Sequence, residues 1–99
     1  MMKLRINPVV AEDLKTIKKF IAEDNADKAL ETVREIYKQF ENIQQSPYIG
    51  ANLSMRVSFK TDYRYVVWSD YVVLYKVTKE AVEIYRVVNW YQDITKIFS

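Results

Sequence analysis

The chain has 99 residues, 49% of them hydrophobic, with one glycine, two prolines and a formal net charge of +2, a composition that predicts a single globular domain over residues 1–99. It contains neither cysteine nor histidine, which excludes disulfides, thiolate chemistry and the commonest general base and metal ligand. No apolar run has the length of a signal peptide or a membrane span, so we expect a cytoplasmic protein with no membrane contact, no metal and no cofactor.

The first elements are a short strand and a helix. Charged and apolar residues alternate from Lys3 to Ile6, as in a strand that could join the edge of a sheet. Asn7 and Pro8 have the side chains of an N-cap and a first helical position. An apolar stripe then recurs at helical spacing, and the lysines opposite it are expected to form a solvated face. The stripe consists of Val10, Leu14, Ile17 and Ile21.

A second helix follows the break at Asp24 and Asn25 and ends before Ser46 and Pro47. The break is so short that the two helices should form an antiparallel hairpin, whose shared apolar side would cover one face of a sheet. The expected inner positions of the second helix are Ala26, Ala29, Leu30, Val33, Ile36, Phe40 and Ile43.

Residues 46–53 are predicted to form a loop that holds the single glycine, Gly50, and directs Leu53 inward. For Met55 to Asp62 the loose alternation leaves two interpretations open, an extra strand or the beginning of the next one. Residues 63–89 are dense in β-branched and aromatic types and predict three strands joined by tight turns.

The two turns predict a register for these strands. A two-residue loop at Ser69 and Asp70 pairs Trp68 with Tyr71, Val66 with Val73, Tyr65 with Leu74 and Arg64 with Tyr75. A second hairpin closed at Lys79 and Glu80 places Val73 beside Arg86, Tyr75 beside Ile84 and Lys76 opposite Glu83.

In this register Arg64 and Arg86 project from one apolar face of the sheet. Two interpretations stay open for them, structural ion pairs or a sheet edge on one hand, and a patch facing a ligand or partner on the other. The predicted fold is therefore α+β, with an N-terminal strand, a helical hairpin on one face of an antiparallel sheet of three to four strands, and a short helix over residues 90–98.

Four motifs in order make the chain resemble the RelE/ParE superfamily of bacterial type II toxins. They are P-x-x-x-x-D-L-x-x-I from Pro8, S-P-x-x-G-x-x-L from Ser46, Y-V-V-L-Y-K-V from Tyr71 and V-E-I-Y-R-V-V-N-x-x-Q-D from Val82. The last motif is similar to the ParE branch, whose strand reads V-x-I-x-R-V-L-H before R-D. Arg86 and Asp93 match that pattern, whereas Asn89 and Gln92 replace its His and Arg.

The resemblance to the ParE branch implies a toxin of plasmid stabilisation and growth inhibition that binds DNA gyrase and carries out no chemical step itself. The RelE and YoeB-like branches, which cut messenger RNA on the ribosome, provide an alternative. At the positions of the YoeB-like nuclease residues this chain has Ala51, Val72, Trp90 and Tyr91, so only the tyrosine matches, and Gln92 and Phe98 stand at the last two RelE-like positions. An inactive or regulatory relative is a further alternative.

The resemblance also implies partners and site residues. A cognate antitoxin is expected to bind through Trp68 and Tyr71, with Trp90 and Tyr91 as further aromatic anchors, and a homodimer or toxin–antitoxin hetero-oligomer is compatible with this. If the chain is a nuclease, its catalytic candidates are Arg64, Arg86 and Tyr91. The residues expected to contact gyrase, or the ribosome and its messenger RNA, are Arg56, Lys60, Arg64, Arg86, Asn89, Trp90 and Tyr91.

Overall fold

A computed structural model describes residues 2–91 and has two helices on one face of a five-stranded sheet. The elements are β1 (Lys3–Ile6), α1 (Val9–Ala22), α2 (Ala26–Gln45), β2 (Ala51–Asn52), a 3₁₀ turn (Leu53–Met55), β3 (Arg64–Trp68), β4 (Tyr71–Val77) and β5 (Ala81–Asn89). The predicted α+β class is confirmed. The predicted C-terminal helix lies outside the described residues from residue 92 onward.

The helical hairpin forms as the sequence predicts. The Asn7 side chain accepts a hydrogen bond from the Val9 amide at 3.1 Å, and Asn25 caps α2 by accepting one from the Lys28 amide at 3.0 Å. The three residues 23–25 between the helices bring α2 back against α1. In α2, Thr32 is buried, whereas Leu30 keeps 43% of its surface exposed and Ala26 is exposed as well, so two predicted inner positions of that helix face outward.

The sheet order is β1-β5-β4-β3-β2, and β1 runs parallel to β5. The predicted antiparallel sheet corresponds to β2–β5, and the predicted N-terminal strand, β1, joins its edge as a fifth strand in the parallel direction, which the sequence analysis did not specify. Alternation along β1 indicates a strand but not its direction, which depends on where α1 starts. Just before α1 begins, the Asn7 amide donates a hydrogen bond to the Ile84 carbonyl at 2.9 Å. Met55–Asp62 forms no strand, and the short pairing with β3 comes from Ala51 and Asn52 instead.

The hairpin between β3 and β4 has the predicted register in every pair. Its first loop residue, Ser69, has a φ of 54°, the left-handed conformation that a two-residue loop needs. The second hairpin has the predicted pairs of Tyr75 with Ile84 and of Lys76 with Glu83.

The predicted neighbour of Val73 in β5 is wrong, because the pairing shifts between Leu74 and Tyr75. Leu74 pairs with Arg86, and Val73 pairs with Val87. One extra residue of β5 is thus accommodated in a β-bulge. No glycine or proline marks the bulge in the sequence.

The sheet separates two apolar clusters. The larger cluster lies between the sheet and the helices and contains Val10, Leu14, Ile17, Ile36, Phe40, Ile43, Tyr71, Val73, Tyr75, Val82, Ile84 and Val87. The smaller one lies on the opposite side, which we call the open face, where Leu53 packs on Val72, Leu74 and Val88. Inward packing of Leu53 is as predicted.

Candidate target-binding surface

Arg86 lies between the sheet and α1. Its Nε and Nη2 atoms donate to the two carboxylate oxygens of Asp13 at 2.9 and 2.8 Å. Asp13 also accepts a bond from the Val87 amide at 3.0 Å, so its carboxylate holds both the side chain and the backbone at the bulge. The hydrogen bonds that Arg86 donates to the Asp13 carboxylate raise the pKa of its guanidinium, which is charged at physiological pH.

Arg64 lies on the same helix side of the sheet, as predicted, but it has different partners. Its Nε donates to the Gly50 carbonyl at 3.1 Å and its Nη2 to the Tyr48 carbonyl at 3.4 Å. Its guanidinium also lies 5.2 Å from the centre of the Tyr48 ring. Each of the two arginines is thus bonded to its own part of the fold, Arg86 to α1 and Arg64 to the loop after α2.

The open face carries an arginine of a different kind. Arg56, which follows the 3₁₀ turn, lies 5.0 Å from the centre of the Trp90 ring and 5.6 Å from that of Tyr65. Both distances are within the range of cation–π attraction. Arg56 is exposed, and Trp90 keeps 39% of its surface accessible. We call Arg56, Tyr65 and Trp90 the arginine–aromatic patch.

More aromatic side chains continue along the open face. The Tyr63 and Tyr85 rings have centres 5.1 Å apart, and Lys76 Nζ lies 6.0 Å from the centre of Tyr63. Burial raises the pKa of Tyr63, and the nearby Tyr85 adds to this rise. Lys76 also pairs with the exposed Asp62 at 3.7 Å.

The sequence analysis did not select Tyr65, Tyr63, Tyr85 or Lys76. Sequence alternation could have identified the three tyrosines. Successive side chains along a strand point to opposite faces, so Tyr63, Tyr65 and Tyr85 fall on the face that Val66 and Ile84 do not occupy.

The remaining residues of the predicted target-binding set are not part of the arginine–aromatic patch, and Asn89 lines a groove between α1 and β5 together with Tyr71. The Asn89 side chain accepts a hydrogen bond from the Tyr91 amide at 2.8 Å and so shapes the turn after β5. Tyr91 is 82% exposed, and Lys60 is an exposed residue of the segment that leads into β3. The structure therefore brings Arg56 and Trp90 together and leaves Arg64 and Arg86 on the opposite side of the sheet.

The two residues predicted to bind an antitoxin lie on the helix side. Tyr71 is only 8% exposed, and Trp68 is half-buried against the helix-side cluster. Tyr71 lines a groove of about 380 Å³ between α1 and β5, together with Ile17, Val87 and the ring of Phe20. Phe20 is 70% exposed and gives this α1–β5 groove an accessible apolar ring, while Asp13, Thr16, Arg86 and Asn89 supply polar lining.

Two buried phenols on the helix side of the sheet have raised pKa values. Burial raises the pKa of Tyr71 and Tyr75, so these phenols hold their protons more firmly than a free tyrosine at neutral pH. Within residues 2–91 no group of three acidic side chains is placed to hold a metal ion. Neither helix of the described part is long and apolar enough to cross a membrane.

Comparison with known proteins identifies relatives of the sequence and of the fold. Residues 4–93 match the family model described as the ParE toxin of the type II toxin–antitoxin system parDE. The chain is also similar to a solved structure titled "Chromosomal ParDE TA system from P. aeruginosa", with 24% identity and a TM-score of 0.75 over 90% of this chain and 96% of the other. Curated protein sequences include no significant match to this chain.

Proposed function

Because the chain belongs to the ParE toxin family of type II toxin–antitoxin systems, we propose that it arrests growth by binding DNA gyrase and that a cognate antitoxin neutralises it. The observation that carries the binding role is the arginine–aromatic patch, in which an exposed guanidinium lies against Tyr65 and Trp90. Tryptophan, tyrosine and arginine are the residues that most often dominate the free energy of protein–protein binding.

The proposal assigns the contact with gyrase to the open face. Trp90 and Arg56 would be its anchors, and the exposed Tyr91 would extend the contact. Arg56 is already stacked in the free protein, so it would lose less conformational freedom on binding than an unrestrained arginine. Lys60, an exposed residue before β3, would lie at the margin of this surface, where charged groups add mainly to association rate and specificity, whereas Asn89 lines the α1–β5 groove.

In this proposal Arg64 and Arg86 stabilise the fold and do not themselves contact gyrase. Both guanidinium groups have bonds within the fold, to the Gly50 carbonyl and to the Asp13 carboxylate. A catalytic role would require them to release these bonds or to share them with a phosphate. The sequence-based prediction that they contact the target remains a prediction.

For the antitoxin we propose the α1–β5 groove as the docking site. Its apolar lining of Phe20, Ile17 and Val87, with Tyr71 in the wall, suits the apolar side of a partner helix. Trp68 borders a neighbouring groove at the start of α2 and would extend the contact.

The test is inhibition of gyrase supercoiling by the purified chain. Wild-type protein should inhibit, and Arg56→Ala and Trp90→Ala should each weaken inhibition by about tenfold or more, the scale of a binding hot spot. Lys18→Ala, an exposed lysine of α1, is the control and should inhibit like wild type. Normal supercoiling in the presence of excess wild-type protein would contradict the proposal.

A ribosome-dependent endoribonuclease is the second candidate, and the cations on the open face favour it. Arg56 and Lys76 both lie over tyrosine rings, and basic groups among aromatic side chains are typical of surfaces that bind single-stranded nucleic acid. This function requires cleavage of messenger RNA in a translating extract while gyrase remains active. An inactive relative would give neither effect and would not arrest growth.

A further inference from the structure

A groove beside the first half of α2 carries an excess of negative charge. It has a volume of about 520 Å³, and its other wall comes from the end of β3 and the loop that follows. Three carboxylates line it at intervals of about one helical turn, together with a single ammonium group, that of Lys28. The carboxylates belong to Asp27, Glu31 and Glu35. We call this surface the acidic groove.

Two of the three carboxylates are available to a partner. Glu35 is paired with Lys38 at 3.1 Å, whereas Asp27 and Glu31 form no ion pair within residues 2–91. Both of these unpaired side chains belong to exposed residues. In a chain of net charge +2, a groove with more carboxylates than ammonium groups favours a cationic partner.

A buried hydroxyl adds an unused polar group to the groove. Thr32 lines the acidic groove, is 7% exposed, and forms no side-chain hydrogen bond to any part of the chain that the structure describes. That part encloses no polar side-chain atom without a partner, so the Thr32 oxygen must reach the groove surface. Buried hydroxyls are usually bonded, and this one can accept a hydrogen bond from a group that enters the groove.

Trp68 gives the groove an aromatic wall. It is half-buried at the end of β3, packs against the helix-side cluster and lines the acidic groove. A cation above a tryptophan ring is attracted to it. Arginine suits this combination better than lysine, because its planar guanidinium can stack on Trp68 while its five donors reach a carboxylate and a hydroxyl.

We propose that the acidic groove binds an arginine side chain of the cognate antitoxin. Asp27 and Glu31 would be its ion-pair partners, the Thr32 hydroxyl would accept a hydrogen bond from it, and Trp68 would stack on it. The chain belongs to a toxin family of type II toxin–antitoxin systems, so an antitoxin is its expected protein partner. The inference rests on the proposed docking of that antitoxin in the α1–β5 groove and states the chemistry of a second contact.

The antitoxin can reach the acidic groove from its proposed docking site. A connecting groove is lined by Phe20 and Tyr71, which also line the α1–β5 groove, and by Thr32, which also lines the acidic groove. Asp24 and Asp70 line this connection too, so negative charge continues along it. One antitoxin segment could therefore fill the α1–β5 groove with apolar side chains and present an arginine to the acidic groove.

The first experiment measures the affinity of the full chain for the antitoxin encoded by the adjacent reading frame. Glu31→Gln should weaken binding about tenfold, because a charge-assisted hydrogen bond is lost. Glu41→Gln is the matched control, since it makes the same charge change at an exposed position of α2 outside the groove and should bind like wild type. Unchanged affinity of Glu31→Gln, or an equal loss in Glu41→Gln, would overturn the inference.

The second experiment identifies the arginine. Each arginine of that antitoxin is replaced by glutamine in turn, and binding to the wild-type chain and to its Glu31→Gln variant is compared. One replacement should weaken binding to wild type about tenfold and add almost nothing to the loss in Glu31→Gln, because the two groups act as a pair. Independent, additive losses for every arginine would overturn the inference.

The third experiment uses Thr32→Val, which removes the hydroxyl and nearly keeps the shape of the side chain. The urea midpoint of the free chain should stay unchanged or rise, because no hydrogen bond within the fold is lost. Affinity for the antitoxin should fall several-fold, so stability and binding would not change together. Full affinity of Thr32→Val would overturn the role of the hydroxyl.

The fourth experiment needs no antitoxin. N-acetyl-arginine N-methylamide is titrated into the isotope-labelled chain and should shift the NMR signals of residues 27–35 and of the Trp68 indole. The citrulline analogue, which has a similar shape without the charge, should shift them much less. Equal shifts with the two probes would overturn the inference.

These experiments also distinguish this inference from the proposed docking in the α1–β5 groove, which Phe20→Ser tests. If Phe20→Ser weakens antitoxin binding and Glu31→Gln does not, the docking proposal stands and the arginine contact fails. A wild-type chain that does not bind the antitoxin would overturn both. Self-association of the wild-type chain that Glu31→Gln abolishes would assign the groove to a second copy and would also overturn the inference.

Discussion

Removal of the Asp13 carboxylate should reveal how strongly α1 is fixed to the sheet. This carboxylate accepts two hydrogen bonds from Arg86 and a third from the Val87 amide, at 2.8 to 3.0 Å. The side chain of Asp13 is 9% exposed, and that of Arg86 is 24% exposed. The pair is therefore partly shielded from water and is more than a surface ion pair.

The expected cost of Asp13→Ala is about 2–4 kcal/mol in the free energy of unfolding. Breaking a fully buried pair by removing one partner costs about 3–5 kcal/mol, and the remaining exposure of Arg86 lets water offset part of that. The Val87 amide also loses its acceptor, which adds about 1 kcal/mol. Asp13→Asn, which keeps the size and one acceptor oxygen, should cost less.

The measurement is urea unfolding at pH 7, followed by the fluorescence of Trp68 and Trp90. A double-mutant cycle of Asp13→Ala with Arg86→Ala should give a coupling free energy of about 1–3 kcal/mol. This coupling should largely persist in about 0.5 M salt, because screening weakens partly buried pairs less than exposed ones. A loss below about 0.5 kcal/mol for Asp13→Ala, the range of ordinary surface substitutions, would refute this reasoning.

Three further predictions concern the loop, the first hairpin and alkaline pH. Gly50→Ala should cost about 1–3 kcal/mol in urea unfolding, because the new Cβ would meet the Tyr75 hydroxyl and a backbone carbonyl; an unchanged midpoint would contradict this. Ser69→Gly should raise the free energy of unfolding by about 0.5–1 kcal/mol, since glycine adopts the observed φ of 54° without strain. Burial raises the pKa of Tyr75, so its contribution is complete below about pH 10 and declines above it, where the unfolded chain loses the proton first. Tyr75→Phe should flatten that decline in unfolding measurements from pH 9 to 11, and an equally steep decline would argue against it.

Much of the fold could be predicted from local patterns. Alternation and the two-residue loop at Ser69 predicted every pair of the first hairpin, because a tight turn leaves its strands little freedom of register. The helix starts near Asn7 and Asn25 followed from their side chains, which accept hydrogen bonds from backbone amides in the first turns of α1 and α2. These features depend on residues close together in the sequence.

The candidate site was less predictable. The sequence identified Arg56 and Trp90 as separate candidates but gave no sign that they stack, since 34 positions separate them in the chain. It also could not decide between a structural and a binding role for Arg64 and Arg86. That choice depends on the Gly50 carbonyl and the Asp13 carboxylate, which the fold brings to them from 14 and 73 residues away.

By itself the sequence determined the helices, the two hairpin turns, the loop glycine and, through the order of its motifs, the family. Only the tertiary structure decided the direction of β1, the bulge in β5 and the partners of the three arginines. The physical reason is how far apart along the chain the interacting residues lie. Backbone preference, capping and alternation act over a few residues, whereas the position of a bulge or a guanidinium depends on packing between elements that are distant in the chain.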